Sequence, residues 1–176
     1  RMDEAIFRLG NGEGVPLALV LSSKWMLAAV GLPLLAMFAK KRKWLAIGII
    51  TLSMASADLV SVRIIKPLVG RVRPCRALQD VEAPAGCGPG QSFPSAHATN
   101  AFALATSAGL LMPSTWYWLM PVAVGVAWSR VSLGVHHPSD ILAGALLGAV
   151  LAFVSRWLLS KAATSFGAVK ASSTIE

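Results

Sequence analysis

The chain has 176 residues, is 55% hydrophobic and only 14% charged, and has a mean hydropathy of +0.64. A soluble domain carries about a quarter charged residues. Here the apolar residues fall in runs too long for core helices, so a soluble globular protein is excluded and one compact integral membrane domain is expected. The net charge of +8 comes without a basic stripe interleaved with aromatics, which excludes a nucleic-acid surface; anionic lipid headgroups and a phosphate group account for it better.

Arg1 precedes Met2 and reads as an added residue. Residues 1–15 mix polar and apolar positions without a basic segment followed by an apolar core, so no cleaved signal peptide is expected. Residues 3–9 predict a short interfacial helix, because Ile6, Phe7 and Leu9 give it one apolar side. Five apolar segments follow, at about 16–39, 44–65, 96–112, 116–133 and 139–159. Each is close to the ~20 residues that a helix needs to cross the hydrocarbon core. The expected fold is therefore an all-α integral membrane helical bundle, with about five transmembrane helices and a short N-terminal interfacial helix. Residues 1–161 form its single membrane-embedded domain, and the small, polar stretch 162–176 is expected to be a disordered tail.

The links at 40–43 and 113–115 are short turns between antiparallel neighbours, whereas 67–93 is a long loop rich in Gly, Pro and charge. Loops of that length are usually functional. Three polar clusters stand against the apolar background: Lys66 to Arg73-Pro74, Pro94-Ser95-Ala96-His97, and Ser129-Arg130 followed by His136 and Asp140. Cluster one ends the second segment, cluster two opens the third, and cluster three bridges the fourth and fifth. Counting crossings puts all three on one membrane face, whichever way the chain is inserted. Ionisable groups there are costly and mark a functional site.

Raw counts of Lys and Arg do not decide which face this is. Two features favour the outer one. Trp44, Trp116, Tyr117, Trp118 and Trp157 would form an inner aromatic belt. Cys75 and Cys87 both lie in the long loop; an oxidising compartment would let them pair, and a reducing one would leave two free thiols.

The chemistry of the clusters is that of phosphoryl transfer. His136 and Asp140 are four residues apart, about one helical turn, so the carboxylate can accept the Nδ1–H and leave Nε2 free to attack phosphorus. Pro138 and Asp140 suit the first turn of a helix. His137 lacks that spacing and is expected to be structural. His97 opens the third segment, where helix-start N–H groups bind anions, and a histidine there can protonate a leaving alkoxide. Ser95 can cap that helix or contact the phosphate. Lys66, Arg73 and Arg130 can neutralise the equatorial oxygens of a transferring phosphoryl group. Each residue also has a plainer reading. The His136–Asp140 pair can be an ordinary helix start, His97 a headgroup-solvated histidine, Lys66 a snorkelling cation, and Arg73 one of several loop cations beside Arg71 and Arg76. Arg130, a charge inside an apolar segment, needs a partner on any reading. No acidic or His/Cys set has metal-ligand spacing, so no metal and no cofactor are expected. Two architectural expectations complete the reading. Lys24 and Asp58 lie at equal depth and are expected to pair across the first two spans. Gly144 and Gly148 have the spacing of a close helix contact.

Together the clusters resemble the type 2 phosphatidic acid phosphatases, whose core is shared with vanadium haloperoxidases. The family's Lys-x6-Arg-Pro, Pro-Ser-Gly-His and Ser-Arg-x5-His-x3-Asp are matched in order and spacing over 66–140, with Ala96 in place of the glycine. The resemblance implies His136 as nucleophile, Asp140 as its orienting partner and His97 as general acid. It implies Lys66, Arg73, Ser95, Ala96 and Arg130 around the phosphate, and chemistry without a metal. The expected function is removal of phosphate from a lipid phosphate or diphosphate at the outer face of a bacterial cytoplasmic membrane. Polyprenyl diphosphate, phosphatidylglycerophosphate, phosphatidic acid and lipid A 1-phosphate are the candidate substrates. A lipid-to-lipid phosphotransferase and a non-catalytic lipid-binding protein are the alternatives.

Overall fold

The computed structural model describes residues 2–172, with the side chains of Lys24 and of residues 166–172 outside the description. The described residues are helical, with no strand among them. Helix α1 (Met2–Gly10) is followed by α2 (Val15–Leu21) and α3 (Lys24–Lys40). Next come α4 (Trp44–Asp58), a π-helical stretch Leu59–Ile65 and the short helices α5 (Lys66–Val69) and α6 (Pro74–Ala77). The chain ends with α7 (Ala96–Leu111), a 3-10 turn at Pro113–Thr115, α8 (Trp116–Ser132) and the long α9 (Pro138–Ser172).

All five expected apolar segments fold as helix. Among the described residues, Trp44–Ala77 and Pro138–Ser165 are long and apolar enough to cross a membrane. A third such element is Val15–Leu21 with Trp25–Lys40, bent by 47°. At 16 and 17 residues, α7 and α8 rise about 24–26 Å, a little short of the hydrocarbon thickness. Both are embedded among the longer helices: α7 packs on α4, α8 and α9.

Three departures from the sequence reading have local causes. The first segment is broken rather than continuous, because the Ser23 hydroxyl accepts the Trp25 N–H and starts a new helix. The second segment changes from α to π at Leu59, a wider winding that re-aims the side chains leading into Lys66. The last helix continues to Ser172, past the expected boundary at Lys161. Its extension is rich in alanine, the best helix former, and holds no proline. The part of the expected tail at 173–176 lies outside the described residues, and so does the Lys24 side chain of the expected Lys24–Asp58 pair.

Small residues bring α7 and α9 together. A Cβ at Gly144 would come within 2.7 Å of the Ser95 carbonyl, and one at Gly148 would strike the Thr99 carbonyl. The close contact expected from their spacing is therefore present. It matters for the site because it fixes the start of α9 against the start of α7. Trp44, Tyr117, Trp118 and Trp157 are exposed at the opposite end of the bundle, as a belt requires. Trp116 instead lies against Gly109.

Candidate functional site

The three clusters meet at one end of the bundle. The last turn of α8 carries Arg130, whose carbonyl accepts the backbone N–H groups of Val135 and His136 at 3.1 and 3.2 Å. The chain reverses at Gly134, in the left-handed region at φ 70°. A Cβ there would strike the Glu82 carbonyl of the long loop, so glycine is required on both counts. His136 and His137 follow, and α9 begins at Pro138, a residue suited to a first helical turn.

Asp140, fully buried, gathers the surrounding donors. Its Oδ1 accepts from Arg71 Nη1 at 2.7 Å. Its Oδ2 accepts from the His137 N–H at 2.8 Å and from the Ser92 hydroxyl. His136 Nδ1 stands 3.4 Å from the same Oδ2 and has no hydrogen-bond partner of its own. His137 Nδ1 is nearly as close, at 3.6 Å. The contacts of His137 are of a structural kind: it binds Asp140 through its backbone and lies 5.9 Å, ring to ring, from Phe7 of α1. Burial pushes the His136 imidazole down to about 4, with Asp140 pulling the other way and the Arg73 and Arg130 charges adding to the lowering. His136 is therefore neutral near pH 7, with an unprotonated ring nitrogen.

The cations are held from the loop. Lys66 Nζ donates to the carbonyls of Gln91 and Ser92 at 2.8 and 3.3 Å. Arg73 reaches the Pro89, Gly90 and Val135 carbonyls at 3.2, 3.2 and 3.3 Å. Arg76 donates to Gly88 O at 2.5 Å. A Cys75–Cys87 disulfide ties this run of carbonyls, at its start, to α6. Four successive carbonyls and the Ser92 one thus fix the cations in place. Arg130 keeps a buried Nε without a partner. Lys66, Arg73, Arg130, His97, His136 and Asp140 all lie within electrostatic reach of others in the set.

A cavity of about 450 Å³ opens among Arg73, His97, Arg130, Val135, Ser22 and Gly88. Ser95 caps α7, its oxygen 3.5 Å from the Ala98 N–H, and its own N–H donates to the Asp140 carbonyl at 3.0 Å. It is fully buried, so it ties the second cluster to the third. Ala96, the first residue of α7, sits in the turn whose N–H groups have no helical acceptor. Among the described residues no three His, Cys, Asp or Glu side chains are arranged to hold a metal ion.

Four residues of this site carry no signal in the sequence pattern. Arg71 and Ser92 bind Asp140 from the long loop, Asp3 binds Arg71 from α1, and Ser22 sits at the break between α2 and α3 with a buried, unpartnered hydroxyl. Arg71 stood out only as one basic residue among several. The contacts to Asp140 and Asp3 span 48 to 69 residues of sequence, beyond the reach of local spacing.

Several known proteins are similar to this chain. Decaprenylphosphoryl-5-phosphoribose phosphatase of Mycolicibacterium smegmatis is 39% identical over 128 residues, 70% of this chain and 63% of that protein. Lipid A 4'-phosphatase of Bacteroides thetaiotaomicron is 34% identical over 106 residues, 56% of this chain and 47% of that protein. The chain thus spans about half to two thirds of the length of these relatives. Among solved structures, LpxE of Aquifex aeolicus superposes with a TM-score of 0.73 at 25% identity, covering 88% of this chain and 94% of that one. A transmembrane PAP2-type phosphatidylglycerolphosphate phosphatase of Bacillus subtilis gives 0.72 at 26% identity, covering 91% and 85%. The profile of the PAP2 superfamily matches residues 44–163, a stretch that contains all three clusters, and the chain belongs to that family.

Proposed function

We propose that the chain removes phosphate from a lipid phosphate or lipid diphosphate through a phosphohistidine on His136, without a metal, at the outer face of a bacterial cytoplasmic membrane. One observation carries the reading: a buried, neutral His136 stands 3.4 Å from a fully buried Asp140, beside a cavity lined by His97, Arg73 and Arg130. Asp140 accepts the Nδ1–H and stabilises the imidazolium that develops there. Nε2 attacks phosphorus as the bond from phosphorus to the leaving oxygen breaks, and His97, entering this step as the imidazolium, gives that oxygen its proton and becomes neutral. His97 then takes a proton from water, which attacks the phosphohistidine and releases inorganic phosphate and free His136. Lys66, Arg73 and Arg130, with N–H groups at the start of α7, neutralise the charge spread over the equatorial oxygens.

A lipid as substrate is supported by the exposed apolar flanks of the bundle and by the relatives, which are named for lipid A and decaprenylphosphoryl substrates. An apolar recess of about 490 Å³ between α3, α4 and α7, lined by Leu27, Leu35, Ile50 and Leu104 among others, is wide enough for part of an acyl or prenyl chain. Outward orientation is supported by the disulfide and the aromatic belt at the far end.

The test is phosphate release by purified protein in detergent with excess EDTA. It uses polyprenyl diphosphate, phosphatidylglycerophosphate, phosphatidic acid and lipid A 1-phosphate, with His136→Ala as control. Release that survives EDTA and disappears in His136→Ala is expected. Release that needs a divalent ion, or that persists in His136→Ala, would overturn the mechanism. Silence toward all four lipids until an acceptor lipid is added would favour the phosphotransferase.

A further inference from the structure

The N-terminal helix reaches the reaction centre through one carboxylate. Asp3 Oδ2 accepts from Arg71 Nη2 at 2.7 Å and from the Ser139 hydroxyl at 2.5 Å, while Oδ1 accepts from the Ser139 N–H at 2.9 Å. The other Arg71 terminal nitrogen, Nη1, donates to the Ser139 hydroxyl oxygen and to Asp140 Oδ1 at 2.6 and 2.7 Å. One guanidinium therefore bridges two carboxylates, one on α1 and one at the start of α9, in the fork geometry that arginine suits. With Oδ1 bound to Arg71, Oδ2 is the oxygen that faces His136 Nδ1, at 3.4 Å, together with Ser92 and the His137 N–H. Four residues further along α1, Phe7 is fully buried and lies against the His137 ring. Helix α1 is thus docked at two points, and both adjoin the His136–Asp140 pair.

We infer that Asp3 is a positioning residue for the reaction: by holding Arg71 and Ser139, it sets the orientation in which Asp140 meets His136, so that the N-terminal helix completes the site. This rests on the reading of His136 as nucleophile. Asp3 does not line the cavity beside His97 and Arg130, and it touches none of the cations assigned to the phosphate. Its loss should therefore act on the chemical step rather than on substrate binding. A different pair on the same helix supplies the control: Glu4 and Arg8 join at 3.0 Å, exposed and away from Asp140.

The experiment measures kcat, KM and thermal melting of the full chain in detergent, on whichever lipid phosphate the unmodified chain turns over fastest. Asp3→Asn is expected to lower kcat by roughly ten- to a hundredfold with KM unchanged, the loss that follows when a reacting group is displaced by a fraction of an ångström to an ångström. Asp3→Glu should recover part of that loss, and Glu4→Gln should match the unmodified chain. Wild-type kcat in Asp3→Asn, or a loss confined to KM, would overturn the inference. If Asp3→Asn gives no cooperative melt, Ser139→Ala decides, since it removes a single hydroxyl from the same contact. A lowered kcat at unchanged KM sustains the inference, and wild-type kcat overturns it. Turnover that persists in His136→Ala would instead overturn the phosphohistidine reading, whatever Asp3→Asn does.

Discussion

At Asp140 a single carboxylate accepts from Arg71, Ser92 and the His137 backbone N–H before His136 comes within 3.4 Å of it. The aspartate is consequently fixed in place before the imidazole charges. Asp140→Asn would set an amide donor against one of these donors and remove the charge that stabilises the proposed imidazolium, and kcat is expected to fall by about 10³- to 10⁴-fold, with a small residual rate. Arg130→Lys is expected to cost about a hundredfold, because an ammonium does not reproduce a two-pronged guanidinium contact. Steady-state rates on one lipid substrate check both. The pH dependence follows from burial. His136 is lowered from 6.5 to about 4 by desolvation, with Asp140 opposing. A lowered value keeps the proposed nucleophile unprotonated through the neutral range, so its contribution to kcat/KM should be lost only as pH falls through about 4. Stability shifts with the same sign. Between 6.5 and about 4 the unfolded chain binds a proton on this residue that the folded chain does not, so the melting temperature should decline as pH falls across that window. Asp3 acts in the same direction. Burial would raise its carboxyl, but hydrogen bonds from Ser139 and Arg71 hold it below its ordinary value, so its contribution is lost on acidification. An acid limb from His136 near 6.5 in the kcat/KM profile would contradict the burial argument.

Among the elements, the contact between α7 and α9 positions the chemistry, since Ser95 and Asp140 sit at their facing starts and share the bond from Ser95 N–H to the Asp140 carbonyl. Gly148 has no room for a side chain. Gly148→Leu is therefore expected to destabilise the bundle by about 1–3 kcal/mol, read as a lowered melting temperature in detergent, and to reduce turnover by parting the two starts. The helix starts at Trp44, Ala96 and Trp116 were legible in sequence to the residue, because each follows a basic or proline-bearing link that cannot continue an apolar helix. The interruptions were not. Ser22-Ser23 is an ordinary polar pair within a hydropathy window, and it reads as a break only once the Ser23 hydroxyl is seen accepting the Trp25 N–H. The π-helical stretch at Leu59–Ile65 leaves the hydrophobic pattern intact, so periodicity cannot reveal it. Helix α1 was legible as amphipathic, but its docking was not: Phe7 faces inward while Ile6 and Leu9 stay exposed.

On the scale of the molecule, what sequence made visible is the side with the chemistry: three clusters with fixed internal spacing, brought to one end by the count of crossings. What it hid is the scaffold around them, because the bonds of Arg71, Ser92, Ser139 and Asp3 join residues 48 to 136 positions apart. The cysteines lay between the two cases, visible as a pair in one loop and joined in the structure as Cys75–Cys87. Their bond fixes Cys87 immediately before the carbonyls of Gly88, Pro89 and Gln91 that hold Arg76, Arg73 and Lys66. Reduction, or Cys75→Ser with Cys87→Ser, is expected to lower stability by about 2–3 kcal/mol and to raise KM, as the cations lose their fixed acceptors. An unchanged KM would mean that the loop holds them without the bond. A phosphohistidine on His136 is read directly by rapid-quench trapping of the phosphoenzyme, using substrate labelled in its phosphate. Label bound to the protein within a single turnover is expected, labile in acid and stable in base, and absent from His136→Ala. Label retained in His136→Ala, or turnover with no labelled protein at any time, would contradict that phosphohistidine.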